Sequence, residues 1–204
     1  MRHHTPAAIA AALLLCVLAD VIHMRAFASN DLALGARAVE GASDISFERF
    51  LDHLMRAESS GRDTAANPRS TALGAFQFIE STFLAVARKH FAREVAELSD
   101  QPLLALRTNR PFARRVAAAY CRENASYLRE QGLQPTFAHL RLAYLLGAGG
   151  AARVLRAPPQ TPLAGILGAA VIRANPFMRG MTAAGLVERS ARDIGPRVGS
   201  TASS

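Results

Sequence analysis

The chain has 204 residues, half of them apolar and a fifth charged, with 24 lysines and arginines against 16 aspartates and glutamates, a formal charge of +8. That length accommodates one domain with a substantial core plus a leader, and a composition rich in Ala, Leu and Arg without β-branched clusters favours helices over strands. There are no internal repeats and no sustained alternation of apolar and polar residues, so repeat and all-β architectures are set aside.

Residues 1–28 read as a secretory signal. Arg2, His3 and His4 make a basic start, Ala7 to Ala19 are thirteen successive apolar residues, and Ala26-Phe27-Ala28 is a small-x-small cleavage site before Ser29. Thirteen residues are too few to span a bilayer, and Asp20, His23 and Arg25 interrupt any extension, so no stable membrane span is expected. An uncleaved anchor is the alternative to cutting after Ala28. Leu15 before Cys16 argues against a lipoprotein site. Cleavage leaves Cys121 alone, without a disulfide or a cysteine metal cluster, in a helical run with Val116 and Ala117 that predicts a buried, inert thiol. It also leaves a net charge of +7, for which export makes an anionic cell wall a better partner than nucleic acid. Residues 29–43 lack periodicity and read as a linker.

A helix is predicted over residues 46–60, with Phe47, Phe50, Leu51, Leu54 and Met55 on one face. Glu58 continues that face, within roughly 20° of both Phe47 and Leu51 at about 100° per residue. A half-buried glutamate at a helix end tends to keep its proton, which suits a general acid. The structural alternative is a carboxylate paired with Arg56 or Arg62. Ser59-Ser60-Gly61 ends the helix, with Gly61 able to take a left-handed cap conformation. Asn67-Pro68 marks a turn, and Gly74 allows close backbone approach. Gln77 offers a donor and an acceptor to an amide-bearing ligand, on a second helix predicted over residues 76–91.

Further on, residues 98–102 read as a turn and 103–107 as a short helical segment. A long helix starts at Pro111 and is closed by Gly132. Phe112, Val116, Ala119 and Tyr120 mark its apolar face, while Arg114, Arg115, Arg122 and Arg129 read as a solvated one. Thr136 caps a helix over 137–146 whose face carries Leu140, Tyr144 and Gly147. Tyr144 fits an amphipathic core tyrosine with its hydroxyl at the rim. Gly147, Gly149 and Gly150 permit a tight turn into a helix over 151–156; without a following Lys-Ser/Thr they do not read as a phosphate cradle. Helices are predicted over 163–174 and 182–193, with Asn175 as a cap or turn residue, and 195–204 reads as a frayed tail. The six histidines form no His-x-x-x-His pair, so no metal or other cofactor is indicated.

Taken together, Glu58-Ser59-Ser60-Gly61, the series Asn67-Pro68-x-Ser70-x-Ala72-x-Gly74-x-Phe76-Gln77-Phe78-Ile79, and Leu142-Ala143-Tyr144-Leu145-Leu146-Gly147-Ala148-Gly149-Gly150 resemble the motifs of the soluble lytic transglycosylases (the SLT domain), in the form of a proteobacterial branch. Arg173-Ala174-Asn175-Pro176 fits that branch too, and the resemblance covers about residues 45 to 190. It implies an all-α, lysozyme-like domain over residues 44–194, with a polar loop after the catalytic helix. It also implies a periplasmic enzyme that cleaves the MurNAc–GlcNAc bond of peptidoglycan, leaving 1,6-anhydro ends. Glu58 would be the single acid/base, and Ser59, Ser60, Ser70, Gln77 and Tyr144 would bind glycan, with Tyr144 facing the glutamate across the cleft. Leu145 departs from the pattern, standing where many members carry Asn. Small exported relatives act locally for flagella or secretion systems. Two alternatives are a hydrolytic muramidase using Asp63 or Glu80 as a second carboxylate, and a wall-binding or secretion-apparatus module without turnover.

Overall fold

The computed structural model describes residues 44–195. The signal and linker readings over 1–43, and all of the tail beyond Gly195, lie outside the described residues. Within them the chain is all-α: α1 (Asp44–Ser59), α2 (Glu80–His90), α3 (Asp100–Ala105), α4 (Arg110–Glu130), α5 (Phe137–Leu146), α6 (Ala148–Arg156), α7 (Leu163–Leu167), α8 (Ala169–Ala174) and α9 (Ala183–Ile194), with 3-10 turns at Leu106–Thr108 and Pro176–Met178. The only strand-like features among them are isolated bridges, Ala66 to Leu73, Leu73 to Phe78 and Pro162 to Thr182. None of the described helices is long and apolar enough to cross a membrane.

The long helix α4 is the spine of the core. It starts on Asn109, whose Oδ1 accepts the Phe112 N–H at 3.0 Å, with Pro111 in the first turn where no N–H is needed. It ends at Gly132, whose φ of +71° lets Leu133 N–H reach back to Leu128 O at 2.8 Å. Phe112, Val116, Ala117, Cys121 and Leu128 on α4 are buried, and α1, α2 and α5 pack around them. Burial also pushes the Cys121 thiol up, so it stays protonated and inert. On α1 the predicted stripe faces the core: Phe47, Phe50, Leu51 and Leu54 lie inside, and Met55 is half-buried against them. Helix α9 lies along α5 and α1 and closes the domain.

Several boundaries differ from the sequence reading, each for a local reason. Helix α2 starts at Glu80 rather than 76, because Gln77 has φ +50° and the chain turns there, with Gln77 N–H bonded to Gly74 O at 3.1 Å. Helix α3 starts at Asp100, since Pro102 is tolerated in a first turn. The stretch 163–174 is two helices, broken at Gly168, whose φ of +82° cannot continue a right-handed helix. Helix α6 begins at Ala148, so Gly149 and Gly150 are helical; a Cβ on Gly150 would stand 2.9 Å from Leu146 Cβ, and the glycine lets α6 close against α5. The arginines of α4 are not simply solvated. Arg114 bonds Asp52 at 2.7 Å and Glu48 at 2.6 Å on α1, Arg115 lies over the Phe91 and Phe112 rings, and Arg122 lies over Phe47.

Candidate active site

Between α1 and α2 the chain makes a tightly bonded polar loop. Ser60 (φ +58°) and Gly61 (φ +78°) turn it out of the helix, as the glycine predicts. Gly74 N–H then bonds Ala65 O at 2.8 Å, Asn67 N–H bonds Ala72 O at 3.0 Å, and Leu73 N–H bonds Phe78 O at 3.1 Å. Phe76 and Phe78 flank the Gln77 turn and are both buried.

A buried arginine holds this loop from beneath. Arg107 is 6% exposed and donates to Leu104 O at 3.0 Å, Thr71 O at 2.6 Å and Phe78 O at 3.3 Å, with Glu80 3.5 Å from its Nη2. Its own carbonyl presses on Gly74, where a Cβ would stand 2.0 Å from Arg107 O. Gly74, with φ +87°, is therefore required both for its conformation and for its missing side chain.

Glu58 sits in the last turn of α1 with its side chain 17% exposed. It does not pair with Arg56 or Arg62, as the structural alternative expected: Arg56 is exposed, and Arg62 Nε donates to Ser59 O at 3.1 Å. Its partner is Arg141 on α5, whose Nη1 is 2.8 Å from Glu58 Oε1. Arg141 is itself 6% exposed, and its Nη2 lies 3.2 Å from Asp193 Oδ2 on α9. Burial raises the Glu58 carboxyl above the ordinary glutamate range; Arg141 pulls it down, and the Asp193 charge pushes it up again. Tyr144, one turn along α5 from Arg141, donates its hydroxyl to Phe76 O at 2.9 Å and stacks edge-on with Phe78 and Tyr120. Burial first and then the Glu58 charge hold its phenol well above the usual value, so it stays protonated.

The other expected site residues divide by what their side chains already do. Ser59 is buried: its hydroxyl donates to Ala75 O at 2.8 Å and accepts Arg62 N–H at 3.1 Å, a strut between helix and loop. Gln77 Nε2 donates to Ala65 O at 2.8 Å and Gly74 O at 3.0 Å; both partners are carbonyls, which fixes the amide orientation and turns Oε1 away from them. Ser70 is exposed, its Oγ accepting Ala72 N–H at 3.2 Å, and Ser60 is exposed with its backbone N–H on Arg56 O. Glu58 and Tyr144 are thus brought together, Ser59 and Gln77 brace the loop beside them, and Ser60 and Ser70 lie on its solvent side.

The two carboxylates suggested as a second catalytic acid are each engaged elsewhere. Asp63 pairs with Arg110 at 2.8 and 3.1 Å, and Glu80 faces Arg107. The acid that shares an arginine with Glu58 is Asp193, which sequence reasoning did not single out, nor Arg141. Both left a trace: Arg141 interrupts an apolar run between Leu140 and Leu142, and Asp193 stands seven residues after buried Leu186 and three after buried Ser190, on the inward face of α9. Among the described residues no group of three or more His, Cys, Asp and Glu is placed to hold a metal ion. Comparison with protein-family models finds no match for the chain, and none of the curated proteins is significantly similar to it.

Proposed function

We propose that this chain is an exported, periplasmic lytic transglycosylase that acts on peptidoglycan, with Glu58 as its single acid/base. The observation that carries the reading is a protonatable carboxyl, raised by burial yet 17% exposed, at a helix end beside a bonded polar loop and a neutral tyrosine. In the first step Glu58 gives its proton to the oxygen linking N-acetylmuramic acid to N-acetylglucosamine, and the C1–O bond breaks. The carboxylate so formed takes the proton of the muramyl C6 hydroxyl as that oxygen attacks C1. The product is a 1,6-anhydro ring, and Glu58 returns to its acid form. No second carboxylate is consumed, which agrees with Asp63 and Glu80 each being held by an arginine. That engagement is also why the hydrolytic muramidase is the weaker reading.

On this reading Gln77 offers its Oε1 to a sugar N–H or O–H, its amide hydrogens being committed to the loop. Ser60 and Ser70 meet the glycan from the solvent side, and Ser59 acts by holding the loop in place. A dedicated role beside a flagellar or secretion apparatus is compatible with the small size of the domain. Mass spectrometry of muropeptides released from purified sacculi tests the proposal. Anhydro-muramyl products that disappear in Glu58→Gln are the expected result. Reducing-end products would replace it with hydrolysis, and a folded protein that pellets with sacculi but releases nothing would replace it with a binding module.

A further inference from the structure

Two acids from different helices meet on one buried guanidinium. Arg141 Nη1 is 2.8 Å from Glu58 on α1 and its Nη2 is 3.2 Å from Asp193 on α9, while its Nε–H meets no acceptor among the described residues. The groups that face Glu58 are Arg141 and Tyr144 from α5 and Asp193 from α9, with Cys121 and Tyr120 of α4 behind them. Two carboxylates and one guanidinium make a net single negative charge where burial disfavours it, and one bound proton removes it. The proton goes to the acid that gains least from water: Glu58 is 17% exposed and Asp193 27%.

We infer that Glu58, Arg141 and Asp193 form one proton-sharing unit, in which Asp193 is a positioning residue that draws Arg141's charge away from Glu58 and so leaves the proton on Glu58. Paired with Arg141 alone, Glu58 would be drawn toward its ionised form, which is the wrong form for the first step of the proposed reaction. With Asp193 present, Arg141 still fixes the carboxyl in place but no longer strips it of its proton. Asp193 lies in the last turn of α9, where the helix dipole opposes a negative side chain and Arg141 is the cation that answers it. The assignment deepens the proposed function and rests on it for its purpose, though not for its measurement.

The test is a carbon-13 NMR titration of the full chain labelled at glutamate carboxyls, with the Glu58 signal assigned by its loss in Glu58→Gln. Asp193→Asn, which keeps an acceptor for Arg141, is expected to move the Glu58 midpoint down by about one pH unit, the smaller end of what a neighbouring arginine does to a carboxyl. Arg141→Met is expected to move it up. Opposite displacements are the signature, because a mere loosening of the packing would hydrate Glu58 and lower both. An unmoved midpoint in Asp193→Asn, or both variants moving the same way, overturns the unit. Muropeptide release by the wild type is read separately. Release with an unmoved midpoint leaves the function standing without the unit, and the predicted displacements without any release leave the unit standing without the function.

Discussion

Gly74→Ala asks whether the loop beside Glu58 is held by the backbone contact beneath it. Two costs follow from the geometry. The residue has φ +87°, a conformation that costs an L-residue about 1–2 kcal/mol. The new Cβ would also stand 2.0 Å from Arg107 O and 2.8 Å from Arg107 C, distances that real Cβ atoms do not adopt. The carbonyl cannot swing away cheaply, because the Arg107 side chain is bonded to Leu104, Thr71 and Phe78. Forced displacement of a packed neighbour adds about 1–3 kcal/mol. The sum, about 2–5 kcal/mol, corresponds to a fall in Tm on the order of 10 °C at roughly 2–4 °C per kcal/mol. Gly132→Ala is the control: its φ is +71°, but a Cβ there meets nothing within 4 Å, so only the conformational cost applies. Urea unfolding followed by far-UV circular dichroism compares the two. Equal losses, within about 0.5 kcal/mol, would refute the claim that Arg107's carbonyl is what makes Gly74 necessary.

Other outcomes follow from the same structure. Arg107→Leu removes the guanidinium bonds to the Thr71, Phe78 and Leu104 carbonyls and should cost about 2–4 kcal/mol for several lost buried bonds, with faster amide exchange at Leu73 and Gly74 as the local readout. Glu58→Gln should be at least as stable as the wild type at neutral pH. The folded carboxyl sits above its unfolded value, so its contribution is full below the unfolded value and lost as pH rises through the folded one; the variant's advantage should therefore grow from acid to neutral pH in calorimetric scans, and a clear loss of stability at pH 7 would count against the raised carboxyl. Glu123 has the opposite sign. Burial alone would raise it, but His90 at 2.7 Å and Lys89 at 2.6 Å hold it below the ordinary range, so its contribution is present above the unfolded value and lost as pH falls through the folded one. Glu123→Gln should lose about 1–3 kcal/mol at neutral pH and converge with the wild type in acid.

How far the sequence carried depended on whether the deciding interaction was local. The stripe Phe47, Phe50, Leu51, Leu54 put Glu58 at the edge of the core, because helical periodicity needs only the next few residues. Thr136, whose Oγ1 accepts the His139 N–H at 3.2 Å, and Gly132 were legible as caps for the same reason. The short pattern Phe76-Gln77-Phe78 was not: apolar residues two apart fit either a turn or a helix start, and the turn that forms, closed by Gln77 N–H on Gly74 O, is braced by Arg107, 29 residues beyond Phe78 and bonded to its carbonyl. The pairing of Glu58 is the extreme case. Arg56 and Arg62 were neighbours in sequence, yet the partner came from 83 residues away, because a half-buried carboxyl is answered by whichever cation the fold also buries, and exposed Arg56 keeps its water instead. An arginine between two leucines on one helix and an aspartate in register with a buried leucine on another were each unremarkable alone. Read as a rule about charge they were informative: a buried cation implies a buried anion, and two inward acids with one inward cation imply a proton, so the count of inward-facing charges narrows the partners of a candidate acid before any distance is known.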